Sequence, residues 1–143
     1  MSDFSRFMKK NKIVKENKFY PVTKSLVDEK GEPLLWEIRA LTTKENDAIR
    51  DDCMIEVPIP GKPNVYRGKL NTSKYIAKML CACVVEPELH NKELQDSYGV
   101  MTPEELLKEM VDDPGEYQEF VAFVQNFNGF DTTFDDKVEE AKN

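Results

Sequence analysis

The sequence is poor in the residues from which active sites are built. It contains one histidine, His90, and only six glycines among 143 residues. Nucleophilic catalysis needs a histidine, lysine or carboxylate placed to activate a serine, cysteine or threonine. His90 lies in a predicted loop, where a solvated side chain is the simpler interpretation, and no glycine-rich phosphate-binding motif is present. We therefore expect a protein that is not an enzyme and has no catalytic and no cofactor-binding residues.

Cysteine is also scarce and unevenly placed. Of the three cysteines, Cys53 stands alone, whereas Cys81 and Cys83 share one apolar helical run. A Cys-Ala-Cys sequence without a second pair or an adjacent histidine is a weak metal signal. The sequence predicts free, mostly buried thiols and no bound metal.

Long apolar runs and an excess of positive charge are missing too. The formal net charge is -7, whereas a protein that binds the nucleic-acid backbone needs a concentrated basic face. No apolar stretch reaches the length of a membrane span, and the first residues lack the apolar core of a signal peptide. We expect a cytoplasmic protein with protein partners, no nucleic-acid partner and no membrane association.

Residues 1–17 have an excess of positive charge, unlike the rest of the chain. Residues 1–18 carry two acids and six basic side chains, namely Arg6, Lys9, Lys10, Lys12, Lys15 and Lys18. Phe4, Phe7 and Met8 have the i, i+3, i+4 spacing of an amphipathic helix that is too short to persist alone. Two interpretations stay open: a flexible basic arm, or an arm that becomes ordered when it docks on a partner.

Residues 18–130 are predicted to form one compact domain, whose first half contains two antiparallel hairpins. Apolar and polar residues alternate on both sides of two turns that are rich in proline, glycine and acidic or amide side chains. This alternation places Trp36 on an inward face, as an anchor of the core. The predicted strands span residues 19–27, 34–41, 54–59 and 65–70.

Helices are predicted between and after the hairpins. Thr42 and Glu45 have capping-box spacing at the start of the first helix, whose predicted inward residues are Ala48, Ile49 and Cys53. Asn71 begins a second helix that should end at Pro87. Its apolar stripe makes it the predicted central core helix and consists of Ile76, Met79, Leu80, Cys83 and Val84.

Two further helices should follow with a short connection. The first begins at Thr102-Pro103, with a glutamate three residues after the cap, and the second repeats this pattern at Asp113-Pro114. Helices joined by a short loop usually pack antiparallel. The second helix carries an aromatic stripe that serves either as core or as a partner-binding surface. Its members are Tyr117, Phe120, Phe123 and Phe127.

Together these patterns predict an α+β fold. Two short antiparallel hairpins form the N-terminal half, and a mainly helical C-terminal half packs over them. Residues 131–143 contain five acids and two lysines. They are expected to form an acidic, frayed tail, because nothing beyond Val138 offers apolar surface to hold it.

Four stretches of sequence carry a resemblance to a known family. They are Leu35-Trp36-Glu37-Ile38-Arg39 with Thr42 and Glu45, Val84-Val85-Glu86-Pro87-Glu88-Leu89, Glu93-Leu94-Gln95-Asp96-Ser97-Tyr98-Gly99-Val100, and Val124 through Asn128-Gly129-Phe130. In combination they resemble the XkdN-like tail-assembly chaperones of prophages and tailed phages of Gram-positive bacteria.

The resemblance implies a non-catalytic assembly factor that is absent from the finished virion. Its implied partners are the tape-measure protein and other tail proteins, and the family has no active site to carry over. Candidate partner-binding residues are Phe4, Phe7 and Met8 in the basic arm, with any part of the aromatic stripe that the fold leaves uncovered. The alternative function is a structural tail or virion component, such as a tube or connector subunit. Whether the chain self-associates is left open.

Overall fold

The structure, a computed structural model, describes residues 3–130. The strands are β1 (Lys18–Tyr20), β2 (Trp36–Ile38), β3 (Met54–Pro58), β4 (Tyr66–Leu70) and β5 (Val84–Glu86). The α-helices are α1 (Thr43–Asp52), α2 (Thr72–Cys83), α3 (Lys92–Ser97), α4 (Pro103–Met110) and α5 (Pro114–Phe127). The predicted α+β class, with hairpins early and helices late, is confirmed. The predicted acidic tail, residues 131–143, lies outside the described residues.

The first hairpin is shorter than its sequence pattern predicts. β1 and β2 pair antiparallel over three residues each, from Lys18 opposite Ile38 to Tyr20 opposite Trp36. Pro21 ends β1 because proline cannot donate to the ladder, and the only further pairing in the loop between the strands is an isolated bridge from Val27 to Pro33. The predicted role of Trp36 is confirmed, since its side chain is 2% exposed.

Residues 84–86 form strand β5, although the sequence pattern predicts the end of a helix there. α2 ends at Cys83, and residues 84–86 pair antiparallel with β2 as the third strand in the order β1-β2-β5. Val84 and Val85 are β-branched, and the residue before Pro87 is disfavoured in the α region. The prediction that α2 continues to Pro87 is therefore wrong by three residues, and Val84 lies on β5 rather than on the helical stripe.

The second hairpin forms as predicted and makes a separate sheet from β3 and β4. The helix before it begins with the predicted capping box between Thr42 and Glu45. Its predicted inward face is partly wrong, because Ala48 is exposed and Ile49 is only half-buried, while Cys53 is fully buried. α1 is a polar helix that contributes little to the core.

The core forms where α2, α4 and α5 meet the three-stranded sheet. α4 and α5 both pack on α2, and their antiparallel arrangement relative to each other stays a prediction. Each of these helices has one apolar stripe, and α2 supplies the apolar surface that both stripes cover. Asn91 caps the short helix α3, which the sequence analysis did not predict.

An ion pair joins the end of β2 to the start of α1. Arg39 donates two hydrogen bonds to the Glu45 carboxylate, at 3.1 and 2.7 Å. These bonds, with one from the Thr42 backbone, lower the pKa of Glu45 from 4.5 to about 2. The folded state therefore gains stability from this carboxylate above pH 4.5, and loses that stability as the pH falls towards 2.

We expect the Glu45→Gln variant to be less stable than the parent at pH 7 but to lose less stability on acidification. Both side chains of the pair are more than one-third exposed, so solvent screening limits the charge contribution to about 1 kcal/mol. Urea unfolding at several pH values between 2 and 7 measures the difference. Glu29→Gln is the matched control, because its exposed carboxylate has no bonding partner among residues 3–130. Parallel pH profiles for Glu45→Gln and the parent would contradict the prediction.

Candidate protein-binding surface

The N-terminal arm, residues 3–17, is built from short turns rather than one helix. Two 3-10 segments span Asp3–Phe7 and Lys9–Asn11, and the Asn11 side-chain amide donates to the Ser5 carbonyl at 2.7 Å. 3-10 helices occur mostly as short pieces of this kind. The predicted amphipathic spacing is therefore present only as local turns.

The arm exposes more apolar surface than its basic composition indicates. Phe4, Phe7 and Met8, which the sequence analysis selected, are 66%, 88% and 44% exposed. Ile13 and Val14, which it did not select, are 92% and 81% exposed. Exposed apolar residues grouped in one segment are typical of interaction sites. The signal that could have revealed the second pair is an apolar, β-branched dipeptide between lysines.

The base of the arm is held against the C-terminal end of α5. Lys15 Nζ donates to the Phe127 carbonyl at 2.5 Å. The ammonium groups of Lys15 and Lys18 each lie 5.2 Å from the centroid of the Phe127 ring, within the range of a cation–π interaction. Asn17 donates to Glu37 of β2 at 2.8 Å. These contacts fix where the arm leaves the body.

A groove of about 620 Å³ lies between the arm and the end of α5. Residues 13–18 form one wall, and Asn126 and Phe127 form the other. Ile13 and Val14 make part of the lining apolar, while Lys15 and Lys18 outweigh Glu16 and leave the lining net positive. The groove can receive an apolar side chain whose neighbours are acidic.

The aromatic stripe of α5 is mostly part of the core. Phe120 and Phe127 are 0% and 7% exposed, and Tyr117 and Phe123 are half-buried. Phe120 lies edge-to-face against Trp36, with ring centroids 6.1 Å apart, and Phe123 stacks on Tyr20 at 4.0 Å. Phe127 is the stripe residue that lies against the base of the arm.

Charge is divided sharply between the arm and the rest of the molecule. Residues 1–18 carry +4 within a chain of net charge -7, which leaves -11 on all other residues. Residues 84–130 alone contain eleven acids and two basic side chains. The arm is therefore a basic, apolar segment on an acidic body.

The remaining potentially reactive groups of the described residues include the thiols of α2 and His90. Burial raises the pKa of Cys81 to about 12 and that of Cys83 to about 11, so both thiols stay protonated at neutral pH. His90 is exposed in the turn before α3. Within residues 3–130 no group of three or more metal-binding side chains comes together, and no helix there combines the length and apolar character needed to cross a bilayer.

Known proteins resemble this chain over nearly its whole length. The family described as phage XkdN-like tail assembly chaperone protein matches residues 4–142. XkdN of the phage-like element PBSX of Bacillus subtilis strain 168 is 27% identical over 141 residues, which cover 99% of this chain and 94% of XkdN. YqbN of the same strain is 28% identical over 141 residues, which cover 99% of this chain and 93% of YqbN. The crystal structure of YqbN matches with a TM-score of 0.75 at 25% identity, covering 92% of this chain and 99% of that one.

Proposed function

Because the chain belongs to the XkdN-like family of phage tail assembly chaperones, we propose that its client is the tape-measure protein and that the N-terminal arm binds it. The observation that carries the choice of surface is the exposure of Phe7, Ile13 and Val14, which lie in one basic segment. A side chain that is 80% or more exposed and apolar gains most by being covered by a partner.

The chemistry of the arm suits a helical client. A long helical protein with apolar seams aggregates unless a partner covers the seams, and an amphipathic helix can lay its apolar face into a groove. The groove beside Phe127 offers apolar walls, and the surrounding lysines attract acidic residues at the margins of the seam. The acidic body then keeps the complex soluble, since net charge far from zero opposes association.

In this role the protein acts in the host cytoplasm during assembly and stays outside the mature virion. The chain carries out no chemical reaction: the arm binds, the body supplies solubility, and the client departs when the tail forms. A structural tail subunit, the alternative function, would instead remain in the particle in many copies.

Co-expression with the tape-measure protein of the same phage tests the proposal. We expect the parent chain to capture the tape-measure protein and keep it soluble. The triple variant Phe7→Ala, Ile13→Ala, Val14→Ala should lose at least about tenfold in affinity, because the three side chains together provide several kcal/mol of burial on binding. Its thermal unfolding should be unchanged, since exposed side chains contribute little to stability.

Met101→Ala is the matched control, because Met101 is 87% exposed and lies outside the arm. Loss of capture in the arm variant alone supports the proposed surface. Equal capture by both variants would place the binding site elsewhere. Failure of the parent chain to capture the tape-measure protein, together with its presence in purified particles, would favour the structural alternative.

A further inference from the structure

The β3–β4 ribbon stands apart from the core. Its two strands pair only with each other among residues 3–130, and neither strand contains a buried residue. A two-stranded ribbon without further support is marginally stable in water. An additional strand would therefore stabilise this part of the molecule.

The two edges of the ribbon are not equivalent. Ile59 N donates to the Val65 carbonyl at 3.0 Å, and Asn71 N donates to the Cys53 carbonyl at 2.8 Å. Bonded and non-bonded pairs alternate in an antiparallel ladder, so the amides that point outward belong to even-numbered residues. On β3 the third outward position is Pro58, which has no N–H to offer.

β4 has a complete set of outward groups. Tyr66, Gly68 and Leu70 each direct an N–H and a C=O away from β3, by the same alternation. No hydrogen bond to another described residue occupies these three amides. Gly68 also leaves room on its face, since a Cβ built there would have only the terminal methyl of Met54 in reach, at 3.4 Å.

The side chains around this edge define what an added strand should carry. Arg67 and Lys69 lie on one face of β4, and both are exposed. Tyr66 and Met54 lie on the other face, 55% and 47% exposed, on either side of the space above Gly68. One face of β4 is therefore positive. The other face combines Tyr66, Met54 and the gap at Gly68 with the exposed carboxylate of Glu56, which lies opposite Gly68 on β3.

We propose that the free edge of β4 binds an extended segment of a partner protein as a third strand. Acidic side chains of that segment would face Arg67 and Lys69, and a bulky apolar side chain would cover Gly68. Backbone hydrogen bonds supply affinity in this mode, and alternate side chains supply specificity. Because an edge of this kind pairs with an extended chain and not with a helix, the inference does not depend on the arm or on its proposed client.

A designed peptide tests the site on the full chain. The probe is Glu-Thr-Glu-Phe-Glu-Thr-Glu, which can place phenylalanine opposite Gly68 and glutamates opposite Arg67 and Lys69. Amide hydrogen exchange is measured residue by residue with and without it. At a peptide concentration about ten times Kd, exchange at Tyr66, Gly68 and Leu70 should slow about tenfold, because these amides stay open only in the free fraction.

The matched controls reverse the charges. A peptide with lysine in place of glutamate should leave the three amides unprotected, and the double variant Arg67→Glu, Lys69→Glu should prefer the lysine peptide. The proposal would be overturned if neither peptide protected the β4 amides. It would also be overturned if the glutamate and lysine peptides protected them equally in the parent and in the double variant. The three amides could instead be protected without peptide, to a degree that rises with protein concentration. A second copy of the chain would then occupy the edge, and the proposal would be overturned.

Discussion

Replacing Phe120 with alanine should lower the free energy of unfolding by about 3–5 kcal/mol, the range for a large buried aromatic side chain. Phe120 is fully buried and packs edge-to-face against Trp36. Its removal deletes the contact through which α5 holds β2 and leaves a cavity between them. Domains of this size are stable by only about 5–15 kcal/mol, so the variant should unfold at much lower urea concentration. The fluorescence of Trp36, the only tryptophan, reports the transition.

Phe7→Ala is the control for this experiment, because Phe7 is an aromatic residue that is 88% exposed. Its unfolding free energy should stay within about 0.5 kcal/mol of the parent. The comparison separates the two roles that an aromatic residue can have in this chain. If Phe120→Ala cost less than about 1 kcal/mol, far below the cost of a buried phenylalanine, the α5 stripe would not be core and would again be a candidate binding surface.

Replacing Glu116 with alanine should cost about 2 kcal/mol, because the carboxylate makes two hydrogen bonds across the fold. One oxygen accepts from the Thr23 hydroxyl at 2.7 Å, and the other accepts from the Lys24 amide at 2.8 Å. Thr23 is a buried polar residue, 1% exposed. The bonds tie the loop after β1 to the first turn of α5, where a negative charge is also favourable. Urea unfolding of the variant measures the loss.

Glu119→Ala is the matched control, since Glu119 is exposed on the same helix and makes no hydrogen bond to a described residue. A double-mutant cycle with Thr23→Val isolates the interaction. Thr23→Val should cost less in the Glu116→Ala background than in the parent, although the Thr23 hydroxyl also contacts the Ser25 hydroxyl at 2.8 Å. Equal costs in both backgrounds would contradict a direct bond between Thr23 and Glu116.

The candidate surface could be predicted only in part. The charge and apolar spacing of the arm are visible along the chain, and they make Phe4, Phe7 and Met8 candidate binding residues without any structure. The position of its base is not visible, because Lys15 and Phe127 are 112 residues apart. The groove depends on that contact, so its lining residues could not be read from local patterns.

For the aromatic stripe of α5, too, local spacing predicts one part of the outcome and distant contacts decide the other. Its helical spacing predicts which residues share a face, and the structure confirms that Phe120 and Phe127 lie on the buried side. Spacing does not state what covers the face. Phe120 belongs to the core and not to a binding surface, because Trp36, on a distant strand, packs against it.

The sequence by itself determined the starts of α1, α2, α4 and α5, the hairpin turns and the division of charge. Thr42, Asn71, Thr102 and Asp113 each cap the predicted helix, because a cap depends on groups within a few residues. Only the tertiary structure decided that residues 84–86 join β2 as a strand, that α4 and α5 pack on α2, and that one edge of β4 has no pairing partner among residues 3–130. These outcomes depend on contacts between distant residues, which compete for the same apolar surface and backbone hydrogen bonds, and local preference is too weak to settle that competition.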